Sequence, residues 1–596
     1  MLPSQTSFLD ALSTLTAHPN PEDDPTLDPT DYDQNKANEL PSLSKLLAHT
    51  PMLKAWSAGM CKMFAPFVLL IVLVHCAMGF ARFKMYPDKR TRTRHLQTAL
   101  VVLLSQIIAH DDMYKAEYNV AALVPLNCLI LIVELAIFLS SSSSPSPSKL
   151  KLLPFISLTL KLSVFTIFLF PAPPPSISIS DALYRIESYG PGRPCQNGDT
   201  LPGLYHSNTT FGSATAQHWS SSGKTDYDTR RTPWAFSGDS RTLFPFVLAA
   251  NSFGDVKFDR RWVPTSDGEF VAVDCHFPED RDPSNQDVYI ILHGLNGGSS
   301  EDFIRDFVTA EHKSVSCVMI GRGMMSTPVT AGKMFNGART SDISNVAKQM
   351  RIAMDNSGFN GKLVGVGYSM GGIVLSNYAA SSGKDCALDA AVAIGGGIDM
   401  RFNVWYGRSL WLWQPFLART LLDQFYYRYL PHFKDTLTSE QKKATEEAVS
   451  VTDVDTHMVA PYNGYPEVND YYVAMSAASD FESVENPGAI GDVSIPLAIV
   501  NALDDPIVCE KCVGDPRLIS QTGAGKIFLL LTKRGGHVGY PLGLGVRSGK
   551  WSWMSDVVEA FVKAIKAGEK ADEGVEVEEG VEKTASEVNR KSGEEL

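Results

Sequence analysis

Ser369, Asp505 and His537 are the residues of this 596-residue chain whose types and order could support covalent catalysis. A serine hydroxyl is a poor nucleophile until a base takes its proton. A carboxylate must orient that base, and N–H donors must meet the oxyanion that forms. Ser369 stands in "GYSMGG", with Gly367 before it and Gly371 after it in G-x-S-x-G spacing. An apolar run precedes the motif and a helix-like run follows. Small residues at those positions permit a sharp strand-to-helix bend, which exposes the hydroxyl at a helix N-terminus. The N–H of Met370 is then one oxyanion donor. The second is expected from the loop after an earlier strand, and "ILHGLNGGS", from Ile291, offers the N–H of Leu295. His293 in that loop reads as support for the loop rather than as the base. "NALDDP", from Asn501, offers Asp504 and Asp505 as the acid, and the position directly before proline favours Asp505. "KRGGHVGY" follows another apolar run and carries His537, flanked by glycines, as the base. Serine, acid and histidine each follow their own strand, in that order.

The elements that must position these residues are legible as alternating strands and helices from about residue 251. Glu269 to Cys275 alternates apolar and polar, as a half-exposed strand does. Val288 to Leu292, Val315 to Ile320, Lys362 to Gly367, Leu388 to Ile394, Pro496 to Val500 and Ile527 to Leu531 are short apolar runs. Helical patterns lie between them, from Ser300 and over Asp342 to Asp355. Continuous apolar strands alternating with helices predict an α/β fold, a mainly parallel sheet covered on both faces. The alternation breaks between about 399 and 493, where a helical, aromatic insertion is expected above the sheet. Val404 to Phe433 contains three tryptophans and several tyrosines. These suit either acyl chains and a bilayer surface or plain packing of cap on body.

From about Arg241 to Val562 the chain resembles the alpha/beta hydrolase domain-containing family of membrane-anchored lipid hydrolases, in its embryogenesis-associated-protein-like branch. The matching segments are "RTLFP", "SDGEFVAVD", "LHGLNGGS", "GYSMGG", "NGYPEVNDYY", "NALDDP" and "GGHVGY". The resemblance implies an alpha/beta hydrolase fold and esterase, acylglycerol lipase or phospholipase activity on membrane lipids. It also implies catalytic roles for Ser369, Asp505 and His537. The chain departs from the family pattern at "MIGRGMM", where Arg322 and Gly323 are kept but Ile320 stands in place of asparagine. The H-x-x-x-x-D pattern associated with acyltransferases is missing from the hydrolase region; His18 and Asp23 match it only in the N-terminal head. An acyltransferase on the same triad and a non-catalytic lipid-binding membrane protein are the alternatives.

The remaining composition sets the context. Residues 1–62 form an acidic, Pro-rich head expected to be disordered, and 567–596 a charged tail expected to be the same. Between them, 63–171 reads as a transmembrane region of three or four helices. Met63 to Phe83, Val120 to Leu139 and Leu152 to Phe170 reach the roughly 20 residues a span needs, and Leu96 to Ala109 is shorter. Residues 172–250 read as a loop-rich linker, and 251–566 as the hydrolase domain with its cap. Arg82, Lys84, Lys89, Arg90, Arg92 and Arg94 mark the loop after the first span as cytosolic. With four spans the catalytic domain lies on the lumenal side, where the sequon Asn208-Thr-Thr210 is usable; endomembranes are the expected location. The net charge of −13, without a basic stripe, argues against nucleic acid. The nine cysteines are scattered, so this is not a small disulfide scaffold. Cys509 and Cys512 have C-x-x-C spacing but no second pair nearby, and read as ordinary thiols or a local disulfide. Acyl transfer on such a triad requires no metal or organic cofactor. The expected partners are a lipid ester and the bilayer.

Overall fold

Short runs of Val, Ile, Leu and Ala become strands here because both of their faces are covered. The computed structural model describes Phe8 and residues 201–593, apart from 228–231, 233–234, 236, 250–255, 279–286, 311–313, 405, 407–408, 434–435 and 544–550. The candidate spans at 63–83, 96–109, 120–139 and 152–170 lie outside the described residues, as do His18 and Asp23. Among the described residues no helix is long and apolar enough to cross a membrane.

Nine strands form one sheet: β1 (Gly203–Tyr205), β2 (Asp259–Pro264), β3 (Phe270–His276), β4 (Val288–Leu292), β5 (Val315–Ile320), β6 (Leu363–Tyr368), β7 (Ala390–Ile394), β8 (Leu497–Ala502) and β9 (Ile527–Thr532). Their order is β1-β9-β8-β7-β6-β4-β5-β3-β2. Strands β4 to β9 are mutually parallel, whereas β1, β2 and β3 pair antiparallel at the two sides. Every residue of β4 to β9 is buried. Alternate residues feed two cores: Ile291, Val318, Val366, Val392 and Val500 on one face, Ile290, Cys317, Ala391, Ile499 and Leu529 on the other. The main helices are α1 (Thr210–Ser221), α2 (Gly238–Ala249), α3 (Asp302–Val308), α4 (Ser341–Ser357), α5 (Met370–Ser382) and α6 (Ser552–Gly593).

Strand β4 neighbours both β5 and β6, so the chain winds outward in opposite directions from the β4–β6 pair. The loops leaving the carboxyl ends of these two strands therefore part and leave a crevice. One of them is the His293 loop and the other the Ser369 turn. With the reversal at β4, this is the alpha/beta hydrolase sheet.

Several features differ from the sequence-based expectations. The segment read as a loop-rich linker holds β1, α1 and α2. Helix α1 is rich in Ser, Thr and Gly, and is held by burial rather than propensity. Trp219 is fully buried, donates its indole N–H to the Val557 carbonyl and packs at a tilt against Phe561 of α6. Helix α6 runs through to Gly593, into the tail expected to be disordered. That tail is rich in Glu, which with its Ala and Lys residues favours a helix despite the interspersed glycines. Strand β3 is buried except at its ends, not half-exposed. Cys275 and Cys317, opposed in the register of β3 and β5, are joined as a disulfide.

Between β7 and β8 the chain leaves the sheet and forms a cap of short helices, including Gln414–Leu421, Ser439–Glu446 and Val468–Ala474. Phe425, Tyr426, Tyr429 and Phe433 are buried and pack on one another. The Tyr429 hydroxyl donates to the Thr327 carbonyl at 2.7 Å. These aromatic residues are thus spent on packing the cap, while Tyr427 and Leu430 face outward.

Candidate active site

The turn at Ser369 is sterically forced. Ser369 follows β6 and caps α5 with φ 54° and ψ −119°, a conformation that a non-glycine residue holds only when its surroundings impose it. A Cβ on Gly367 would overlap the Gly371 carbonyl, and one on Gly371 would overlap the carbonyls of Leu292 and His293. The glycines of the motif are thus explained by close backbone approach. They bring α5 against the end of β4 and leave Ser369 half-buried at the helix start. The N–H groups of Gly372 and Ile373 both turn back to the Ser369 carbonyl. That leaves the N–H of Met370, in the first turn, without an intrahelical acceptor.

The three residues picked out by type and order meet here. His537 Nε2 lies 2.7 Å from Ser369 Oγ, and His537 Nδ1 lies 2.8 Å from Asp505 Oδ2. Asp505 is buried, and its other oxygen accepts the N–H groups of Ile507 and Val508 at 2.7 and 2.8 Å. The carboxylate is fixed from both sides and fixes the imidazole in turn. With Nδ1 protonated toward Asp505, Nε2 is the lone-pair nitrogen facing the serine hydroxyl.

Gly294, at the head of the Leu295 loop, runs beside the nucleophile: a Cβ built there would sit 3.4 Å from Ser369 Cβ. The loop of Leu295 and the first turn at Met370 therefore flank the same hydroxyl. His293 is buried away from the proton relay. Its Nδ1 donates to the Gly294 carbonyl at 2.7 Å, and its Nε2 accepts the Gly321 N–H at 3.0 Å. Burial lowers its basicity, and the neutral ring pins the loop to the end of β5. Glu301, at the start of α3, tucks its carboxyl under the same loop, where burial pushes it up to about 8. Arg322 is buried between Asp342 and Asp267, so the retained arginine of "GRG" ties the turn after β5 to α4.

The other aspartate of the pair has separate partners. Asp504 bonds Arg241 at 3.2 Å and accepts the N–H groups of Gly535 and Gly536 at 2.7 and 2.9 Å. The His537 N–H is itself held by Thr242 Oγ1 at 2.8 Å. Neither Arg241 nor Thr242 stands out by type or spacing; their only sequence signal is the "RTLFP" segment. Cys509 and Cys512 are buried as thiols within the cluster that joins cap to body. Among the described residues no group of His, Cys, Asp and Glu is arranged to hold a metal ion.

No family model matches the chain. A monoacylglycerol lipase of Saccharomyces cerevisiae is 27% identical over 389 residues, which cover 61% of this chain and 80% of the relative. The phospholipase ABHD3 of Homo sapiens is 25% identical over 354 residues, covering 56% and 78%. The embryogenesis-associated protein EMB8 of Picea glauca is 23% identical over 351 residues, covering 56% and 71%. Among solved structures, an esterase of Pyrococcus furiosus overlaps 52% of this chain and 91% of its own at a TM-score of 0.32 and 13% identity. The sheet order identifies the fold independently of that overlap. With this sheet and these relatives, the chain has the alpha/beta hydrolase fold and is similar to proteins named for the alpha/beta hydrolase domain, at 23–27% identity.

Proposed function

We propose that this protein is a membrane-anchored serine hydrolase that cleaves carboxylic esters of lipids through an acyl-enzyme. The observation that carries the reading is the unbroken relay from Ser369 Oγ through His537 to Asp505. Ser369 attacks the ester carbonyl while His537 Nε2 takes its proton, and Asp505 stabilises the imidazolium that results. The N–H groups of Leu295 and Met370 receive the oxyanion. Collapse of the tetrahedral intermediate expels the alcohol, protonated by His537. Water then attacks the acyl-enzyme by the same route, returning the fatty acid and free Ser369.

A lipid substrate is supported by the named activities of the relatives and by the apolar segments before residue 171, which would hold the site near a bilayer. Beside Ser369, Met370 and Ile507 are half-buried edges of an apolar cluster with Ile373, Tyr406, Tyr471 and Met475, a surface suited to an acyl chain. The disulfide and the exposed Asn208 favour the lumenal side. The test is reaction with a fluorophosphonate probe, followed by lipid profiling of cells expressing the active protein or Ser369→Ala. Labelling that needs Ser369, with one ester class rising in the mutant, is the expected result. Equal labelling of Ser369→Ala would end the proposal.

A further inference from the structure

Helix α2 precedes all the parallel strands in sequence, yet it touches both the histidine loop and the turn that carries the acid. Thr242 is 2% exposed; its hydroxyl donates to the Gly238 carbonyl at 2.8 Å and accepts the N–H of His537. Arg241 is 1% exposed and pairs with Asp504, whose other oxygen holds the N–H groups of Gly535 and Gly536. The surfaces fit without slack. A Cβ on Gly238 would overlap the Asp504 carbonyl, and one on Gly536 would press on Gly238, Arg241 and Thr242. At the helix start, Asp239 accepts the indole N–H of Trp413, in the cap, at 3.0 Å.

The histidine loop needs such support. Gly536, Val538 and Tyr540 all have positive φ, at 68°, 48° and 39°, in a loop that also contains Gly535 and Gly539. A loop of this kind does not hold one shape by its own preferences. Asp505 fixes one ring nitrogen, which leaves the backbone of His537 to be fixed by something else. Thr242 does this directly, and Arg241 does it through Asp504.

We propose that Arg241 and Thr242 are positioning residues that set His537 over Ser369, and that α2 links this setting to the cap through Asp239 and Trp413. The proposal rests on the serine-hydrolase reading above. Reacting atoms must be placed closely for proton transfer, and misplacement by about 1 Å can cost about a hundredfold in rate.

The experiment measures fluorophosphonate acylation of the full chain across the pH range in which a histidine titrates. Thr242→Val keeps the side-chain shape and removes the hydroxyl, and with it both the acceptor for the His537 N–H and the bond to the Gly238 carbonyl. It is expected to slow the bond-forming step by about tenfold to a hundredfold, with probe affinity and melting temperature little changed, and Thr242→Ser is expected to restore the rate. Thr242→Ala serves the same purpose should the valine variant not fold. Trp413→Phe keeps a ring and loses the N–H; it is expected to slow acylation alone and to add nothing on top of Thr242→Val. A wild-type rate in Thr242→Val, or a loss that tracks melting temperature and is not restored by serine, overturns the positioning role. Independent, additive effects of Trp413→Phe overturn the link to the cap. Labelling of Ser369→Ala at the wild-type rate would instead remove the hydrolase reading itself.

Discussion

Asp505 gives one carboxylate oxygen to His537 and the other to two backbone N–H groups, whereas Asp504 bonds Arg241 and the glycines of the histidine loop. Adjacent residues of one type therefore carry different loads, and their mutants should separate. Asp505→Asn presents an amide to His537 and favours the wrong tautomer. The loss in acylation rate should reach about 10³ to 10⁴, as in other serine triads, with stability nearly intact. Asp504→Asn leaves the buried Arg241 without its countercharge. Breaking a buried pair costs about 3–5 kcal/mol, so this variant should unfold at clearly lower urea concentration. Urea titrations and probe kinetics on both variants check the assignment. An Asp504→Asn protein of wild-type stability, or an active Asp505→Asn protein, would reverse it. The distinction was only half legible in the sequence. Proline after Asp505 marks the position, but nothing local shows that Asp504 answers an arginine 263 residues earlier in the chain.

Among the elements, those buried on both faces were the easiest to read, because β4 to β9 have no exposed side that would require a polar residue. Boundaries moved by a residue or two: the run Lys362 to Gly367 became Leu363–Tyr368, and Asp342 to Asp355 became Ser341–Ser357. Elements at the margins were hidden. Strand β1 has only three residues, α1 has Ser, Thr or Gly at six of its twelve positions, and α2 contains Pro245; each is fixed by contacts distant in sequence. The cap contains a further consequence of burial. Asp455 is buried in it, where it accepts the Tyr472 hydroxyl at 2.9 Å, and desolvation pushes its carboxyl up to about 7. Its ordinary value is 3.8, so between 3.8 and about 7 the folded cap binds a proton that the unfolded chain has released. The contribution of this group to stability therefore falls as pH rises through that window. Asp455→Asn should flatten this part of the pH dependence and raise the melting temperature above pH 7 relative to wild type. Parallel melting curves of the two proteins at several pH values decide it; identical slopes would mean that Asp455 does not take up this proton.

For the molecule as a whole, the proposed membrane anchor raises the question of which side the hydrolase domain would occupy, and chemistry at two distant places bears on it. On the proposed membrane-anchored reading, four spans before residue 171 would put the basic loop at 82–94 in the cytosol and the domain in the lumen, and loss of the short segment Leu96 to Ala109 as a span would reverse this. Cytosolic thiols are kept reduced, so the bond between Cys275 and Cys317 fits an oxidising lumen. Asn208 is exposed just before α1, and Thr210, which completes the sequon, is exposed at the first position of the helix. The hydroxyl of Thr209 is engaged in capping, accepting the Gly212 N–H, but the sequon does not use it. An oligosaccharyltransferase could therefore reach the asparagine without unfolding the sheet. The full chain, expressed in a eukaryotic cell, should lose the mass of one glycan on endoglycosidase treatment, and Asn208→Gln or Thr210→Ala should abolish the shift. In sealed microsomes the domain should resist added protease, and Cys275 and Cys317 should react with a maleimide only after reduction. A chain with no glycan, open to protease and with both thiols reactive at once, would place Ser369 in the cytosol. With the basic loop in the cytosol, it would also require an odd number of spans, and Leu96 to Ala109 is the shortest candidate.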